Sequence, residues 1–407
     1  MTGALILNPT WLRNRLAQLG LRQWWLAEQL GVDRKTVLRW VNGQVRQIQP
    51  ANAQALATVL DCRVDELLLH ETSAQLATAQ DQRAAGIALA GSALVDRLGP
   101  VGEWDVIEQL VRAAAVPDLP LPVLGRLYHQ LCVACWRQDK FEQAWVHNAA
   151  ALDIAQRCDD RALLADALGS GANLQHWRGE CAAAQASWRR ALTLSPWLTP
   201  RQRGALHNNL GAALVESGDW EKGSAELDVA LECFDAEGTP MNRSIIHAQR
   251  SLLALLQDDA DAAEHEAARA LGQARRGDYR RGLALAPLLQ ALVAARRGQL
   301  AVTEEALARS QTAFVALGID DAANPVWAAR AWRWLGQGRP ALASAKQALQ
   351  TGAALPLERS AALHEQALAL AMLGRGDEAQ TSLQAACDLY RHCGAHVMVA
   401  RLQSGAH

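Results

Sequence analysis

The chain has 407 residues, half of them hydrophobic and 20% charged, so it is too long for one core and reads as two or more folded units. Tyr and Phe number three each against an excess of Ala and Leu, a composition that favours helices and argues against a sheet-rich body. The net charge of −2 hides a split. Residues 1–70 hold eight Arg/Lys and five Asp/Glu, giving +3, and the rest of the chain carries −5, which directs any polyanion to the N-terminal end.

The opening Met1 to Leu7 has no basic stretch and only a short apolar run, so no secretory signal is expected. No stretch offers 18 apolar residues free of charge, so no membrane partner is expected. The eight Cys residues are dispersed, as in a reduced, cytoplasmic protein. Pro9-Thr10 opens a helix with Trp11, Leu12, Leu16 and Leu19 on its apolar face, and Gly20-Leu21 ends it. A second helix is predicted over Gln23–Leu30 and a third over Asp33–Val41, joined at Gly31-Val32. Ala27 is small where these helices cross, and Gly31 supplies a positive φ. Val32, Val37 and Trp40 fill the core beneath. Asp33 as N-cap leaves Arg34, Lys35, Thr36 and Arg39 pointing outwards. Further helices are predicted over Ala51–Leu60 and Val64–Leu69.

This stretch, residues 9–70, resembles the helix-turn-helix of phage repressors and Cro-like (XRE-type) regulators. Trp24-Trp25 stands where that family has a polar pair, Val41 replaces a usual acidic residue, and Gln44–Gln49 is longer than the common link. The resemblance implies double-stranded DNA as partner. Arg34 and Arg39 are of the type that takes guanine bidentately, and Thr36 of the type that meets a thymine methyl or base edge. Gln23 and Asn42 are placed for phosphates, and Lys35 and Arg46 add attraction to the backbone. The competing reading is a basic surface that only keeps the domain soluble, or a trihelical unit reused for protein contact.

Residues 71–98 read as a helical linker. Beyond it a matching position, small at most of its occurrences, recurs at Ile107, Ala144, Ala184, Gly223, Ala263, Thr303, Ala343 and Ala379, in steps of 37, 40, 39, 40, 40, 40 and 36. Five residues before each stands a turn former, Gly102, Asp139, Gly179, Gly218, Asp258, Gly298, Gly338 and Gly374, as tight helix–helix connections require. Seven residues after each, the column reads Ala114, Ala151, Ala191, Ala230, Ala270, Ser310, Gln350 and Ala386. The pattern resembles tetratricopeptide repeats of a long variety, best over residues 204–237, with Leu300, Pro340 and Gly376 replacing the expected aromatic. The expected fold is all-α: a five-helix head over residues 1–70 and a solenoid of about eight helical hairpins over 99–407.

Such arrays present a concave binding surface. By register, Arg126, His129, Trp136, Asp166, Asn173, His176, Asn208 and Gln249 line it, and the Asn amides suit an extended peptide because each both donates and accepts. Cys132-Val-Ala-Cys135 has metal-like spacing but no completing pair and reads as core. Asp258-Asp259-Ala-Asp261 reads as a helix start, most of the fourteen Trp residues as core, and no phosphate loop is present. No cofactor and no catalysis are expected. Head plus array is similar in architecture to the peptide-responsive regulators of the RRNPP group. That similarity implies a sequence-specific transcriptional regulator acting on a palindromic operator as a homodimer, nucleoid-associated when on DNA, with a peptide or protein signal in the array. The alternative is an interaction scaffold that recruits a protein partner to DNA.

Overall fold

The computed structural model describes residues 5–45, 47–67, 79–318, 323–350 and 355–404, which fall into two compact units, residues 1–82 and 83–407. The first contains α1 (Pro9–Gln18), α2 (Gln23–Leu30), α3 (Arg34–Val41), α4 (Pro50–Val59) and α5 (Val64–Leu67). The Trp11 amide donates to Asn8 Oδ1 at 3.0 Å and starts α1. At the other end of the unit, the Arg15 guanidinium donates to the carbonyls of Leu60 and Asp61, closing α1 against the end of α4. The core joins Leu12, Leu16, Leu26, Ala27, Val37, Trp40 and Leu56. Val41 is buried in the same cluster, which accounts for an apolar residue at that position.

Two expectations for this unit change. Leu19 caps α1 rather than continuing its apolar face and is exposed. The long Gln44–Gln49 segment contains a short strand, β2 (Gln47–Ile48), paired antiparallel with β1 (Leu5–Ile6), Leu5 opposite Ile48. That pairing buries Ile48 and Leu7 and gives the extra length a use.

The second unit is an array of helical hairpins. Its first hairpin has a broken first helix: residues 83–89 and Ala93–Leu98 are helical, followed by Trp104–Ala114. Leu89, Leu94, Val95 and Leu98 pack on Ile107 and Val111, so residues 83–98, read from sequence as linker, pack as part of the array. Seven hairpins follow: Leu121–Trp136 with Phe141–Arg157, Arg161–Trp177 with Cys181–Leu192, Pro200–Glu216 with Trp220–Glu237, Pro240–Leu256 with Ala260–Arg276, Arg280–Arg296 with Leu300–Leu317, Ala323–Trp334 with Gly338–Gln350, and Pro356–Met372 with Gly376–His392. The helix His396–Ser404 packs against the last.

Gly102, Asp139, Gly179, Gly218, Asp258, Gly298 and Gly374 occupy the hairpin turns with φ between +59° and +90°. The seventh hairpin departs from the predicted register. Its left-handed residue is Gly336, φ +72°, and Gly338 instead opens the second helix. The small-residue columns slip with it: Ala341 and Ala348 are buried, while the expected Ala343 and Gln350 are exposed. Two glycines two residues apart left the turn ambiguous, and packing chose the one that sets alanines against the first helix. Most of the tryptophans lie in or against the apolar clusters, as expected, although few are fully enclosed. Among the described residues only Trp40 and Trp188 are buried; Trp24 and Trp197 are exposed and the other rings are half-buried. Several rings carry a guanidinium on one face, Arg296 over Trp334 at 3.9 Å and Arg401 over Trp220 at 3.8 Å among them.

Contacts distant in sequence close the array on itself. The Arg280 amide donates to Pro100 O at 3.1 Å, Met398 to Ser217 O at 3.0 Å, and Arg401 Nε to Gly218 O at 2.7 Å. Each joins elements about five hairpins apart. Between successive hairpins each first helix touches the next first helix as well as the second helix between them, whereas successive second helices make little contact with one another, which places the first helices on the inner radius.

Candidate nucleic-acid interface and ligand face

The head's outward surface follows from how α2 and α3 are held. Gly31, φ +62°, ends α2, and the Asp33 carboxylate accepts from the Lys35 amide at 2.7 Å, fixing where α3 begins. Val37, Trp40 and Val41 then face the core. Arg34, Lys35 and Arg39 are exposed, and no ion pair or side-chain hydrogen bond engages them among the described residues. Thr36 is half-buried on the flank of this face. Gln23 is the first residue of α2, Asn42 caps α3, and both are exposed. Arg46 lies outside the described residues. Two apolar side chains are also exposed here, Trp24, which stands where the resembled family is polar, and Leu38, unremarked in the sequence; Leu38 could have been found from its spacing to Arg34 and Asn42.

On the array's inner radius, most of the predicted polar residues come together as bonds between adjacent first helices. Arg126 pairs with Asp160 at 3.1 Å, where the next first helix begins. His129 Nε2 meets Ser170 Oγ at 2.9 Å. Gln202 donates to Asp166 Oδ2 at 2.9 Å, and Asn209 to Asn173 Oδ1 at 3.0 Å. Asn208, 8% exposed, donates to Asn209 Oδ1 at 3.1 Å. His176 Nε2 meets Glu216 Oε2 at 2.9 Å. The partners Ser170, Gln202, Asn209 and Glu216 were not singled out in the sequence, although each stands about one repeat after its mate. Trp136 lies half-buried under the Arg137 guanidinium at 4.7 Å and Gln249 half-buried one hairpin beyond Asn208; neither joins these bonds.

The ladder is electrically tuned and incompletely satisfied. Burial pushes the Asp166 carboxyl up, against the lowering pull of His129 and the Gln202 hydrogen bond. Burial opposes charge on His176, but the Glu216 carboxylate outweighs it and the ring's pKa is raised. Asn208 Oδ1 and His176 Nδ1 are buried without a hydrogen-bond partner, which is costly unless something supplies one. Elsewhere, Cys132 and Cys135 pack against Ala144 and Leu174, and burial pushes the Cys132 thiol up to about 12. Asp258 is a turn residue, and Asp259 caps the following helix by accepting from the Ala262 amide. Among the described residues no group of His, Cys, Asp and Glu is arranged to hold a metal ion, and no helix is long and apolar enough to cross a membrane.

Residues 12–67 match the family model described as helix-turn-helix, and the head is a helix-turn-helix domain of the XRE type. No curated protein sequence matches the chain. In fold, the chain is similar to a Rap protein complexed with competence and sporulation factor, at 15% identity and a TM-score of 0.61, covering 92% of this chain and 99% of that one. It is also similar to aspartyl phosphate phosphatase F from Bacillus subtilis, at 10% identity and a TM-score of 0.51, covering 86% and 98%. These likenesses show the fold: a helix-turn-helix head followed by a solenoid of helical repeats resembling tetratricopeptide proteins.

Proposed function

We propose that the protein is a sequence-specific transcriptional regulator whose array binds an extended peptide or protein segment that alters DNA binding. The observation that carries this reading is the outward face of α3, where Arg34, Lys35 and Arg39 stand exposed on a helix-turn-helix domain and, among the described residues, pair with no carboxylate. Arg34 and Arg39 take base edges in the major groove, with Thr36 at their flank. Gln23, Asn42, Lys35 and Arg46 take phosphates, fixing register without reading sequence. One small head buries only about 600–1,000 Å² on DNA, too little for tight binding near physiological salt. A homodimer on two half-sites about one helical turn apart follows.

The ligand half of the proposal rests on Asn208 Oδ1 and His176 Nδ1, buried acceptor and ring nitrogen left unbonded beside the asparagine ladder. A peptide backbone supplies the missing donor and acceptor. The Rap structure similar to this chain holds a factor, which supports the array as the ligand-bearing part. Signal and DNA are then coupled only so far as the ligand prefers one array geometry over another.

The test is twofold. Duplexes recovered from genomic fragments bound by the full chain should outcompete random DNA at fixed salt, and equal competition would sink the DNA reading. Calorimetry with short peptides should show binding that changes operator affinity. A second reading, recruitment of a folded protein, is favoured by how many ladder groups already bond one another. It predicts no peptide response and a co-purifying protein instead.

A further inference from the structure

The outward arc of α3 is not wholly polar. At about 100° per residue, the buried Val37, Trp40 and Val41 occupy one side of the helix. Arg34, Leu38, Asn42, Lys35 and Arg39 follow one another around the other. Leu38 therefore sits inside the cationic face, with Arg34 and Asn42 four residues to either side along one ridge. It is 45% exposed and has no place in the head's apolar cluster. The fold leaves nearly half of this leucine to water, and that apolar surface is stabilised only when something covers it.

Whatever covers it must satisfy two conditions at once. It must accept the three cations around it, which means a polyanion, and it must offer an apolar group at the centre. The major-groove edge of duplex DNA meets both, because its one apolar substituent is the C5 methyl of thymine, set among base acceptors and flanked by phosphates. We propose that Leu38 is a specificity-determining residue that packs on a thymine methyl in the bound site. This rests on the DNA-binding reading above and adds a base preference that none of its charged side chains imposes.

The experiment uses the full chain and a duplex selected by it from a random library. Each thymine in the selected duplex is replaced in turn by deoxyuridine, which removes the methyl and keeps the pairing. The wild-type protein should lose about fourfold in affinity at one such position, the worth of a buried methyl-sized group. Leu38→Ala should bind thymine and uracil equally at that position while keeping its response elsewhere, and Leu38→Met, still apolar, should keep the methyl response. A wild-type profile without any methyl-sensitive thymine overturns the assignment, and so does a Leu38→Ala profile that matches wild type. Neither outcome touches the DNA reading. A library from which nothing is enriched overturns that reading itself, and the Leu38 assignment with it.

Discussion

Asp33 donates no chemistry to a partner, yet its bond to the Lys35 amide decides which side chains of α3 face outward. Asp33→Ala should therefore destabilise the head by about 1 kcal/mol, the ordinary worth of an N-cap, read as a shift in the thermal unfolding of residues 1–82 expressed alone or by exchange protection in the full chain. Arg39→Ala acts at the same scale but on a different quantity. It leaves an exposed position, so folding should be unchanged within about 0.5 kcal/mol. Operator binding should weaken by about 1–3 kcal/mol and lose preference at one base pair. Unchanged operator affinity would show that the register of α3 on DNA has been misassigned.

At the scale of the element, the hairpin is the unit, and its register is fixed by one left-handed turn and two buried small residues. The repeat was legible in seven turns because the Gly or Asp in step with the period is also the residue at which the chain reverses. In the seventh hairpin, Gly336 and Gly338 both satisfied the local rule, and a strict 40-residue step picks the wrong one. The packing test is direct. Ala348→Leu forces extra atoms into a closed seam and should cost about 1–3 kcal/mol. Gln350→Leu sits on an exposed position and should change stability by no more than about 0.5 kcal/mol. Calorimetric unfolding of the two variants separates the registers, and equal effects would contradict the slip.

Across the molecule, the two units draw on different physics. Binding by the head should fall steeply with salt, as counterion release requires. The array carries buried ion pairs whose contribution depends on pH. Glu365 is buried, and although burial alone would raise its pKa, Arg330 and Arg333, both at 2.7 Å, hold it down at about 2. Glu108 is held at about 2 against the same penalty by hydrogen bonds from Lys140 and Arg112. Both folded values lie below the ordinary 4.5. The stability they confer is complete above about pH 4.5 and is lost as pH falls towards about 2. Acid titration of the array's thermal midpoint should show that decline, and Glu365→Gln should flatten it. Glu365→Ala, which leaves two guanidinium groups mostly buried and unpaired, should cost about 3–5 kcal/mol at neutral pH. A midpoint insensitive to either change would place the pair outside the stabilising set.

The sequence by itself determined the helix-turn-helix head, the period of the array and the outward cations of α3. Each of these is written in short-range chemistry: caps, left-handed turns, and apolar spacing that a helix converts directly into faces. What only the tertiary structure decided involves partners distant along the chain. The pairing of β1 with β2 spans some forty residues, and the contacts of Met398 and Arg401 with Ser217 and Gly218 span some 180. The placement of residues 83–98 in the array and the unsatisfied Asn208 and His176 belong to the same class. Burial and hydrogen-bond satisfaction are sums over all neighbours in space, and local spacing fixes only the neighbours along the helix.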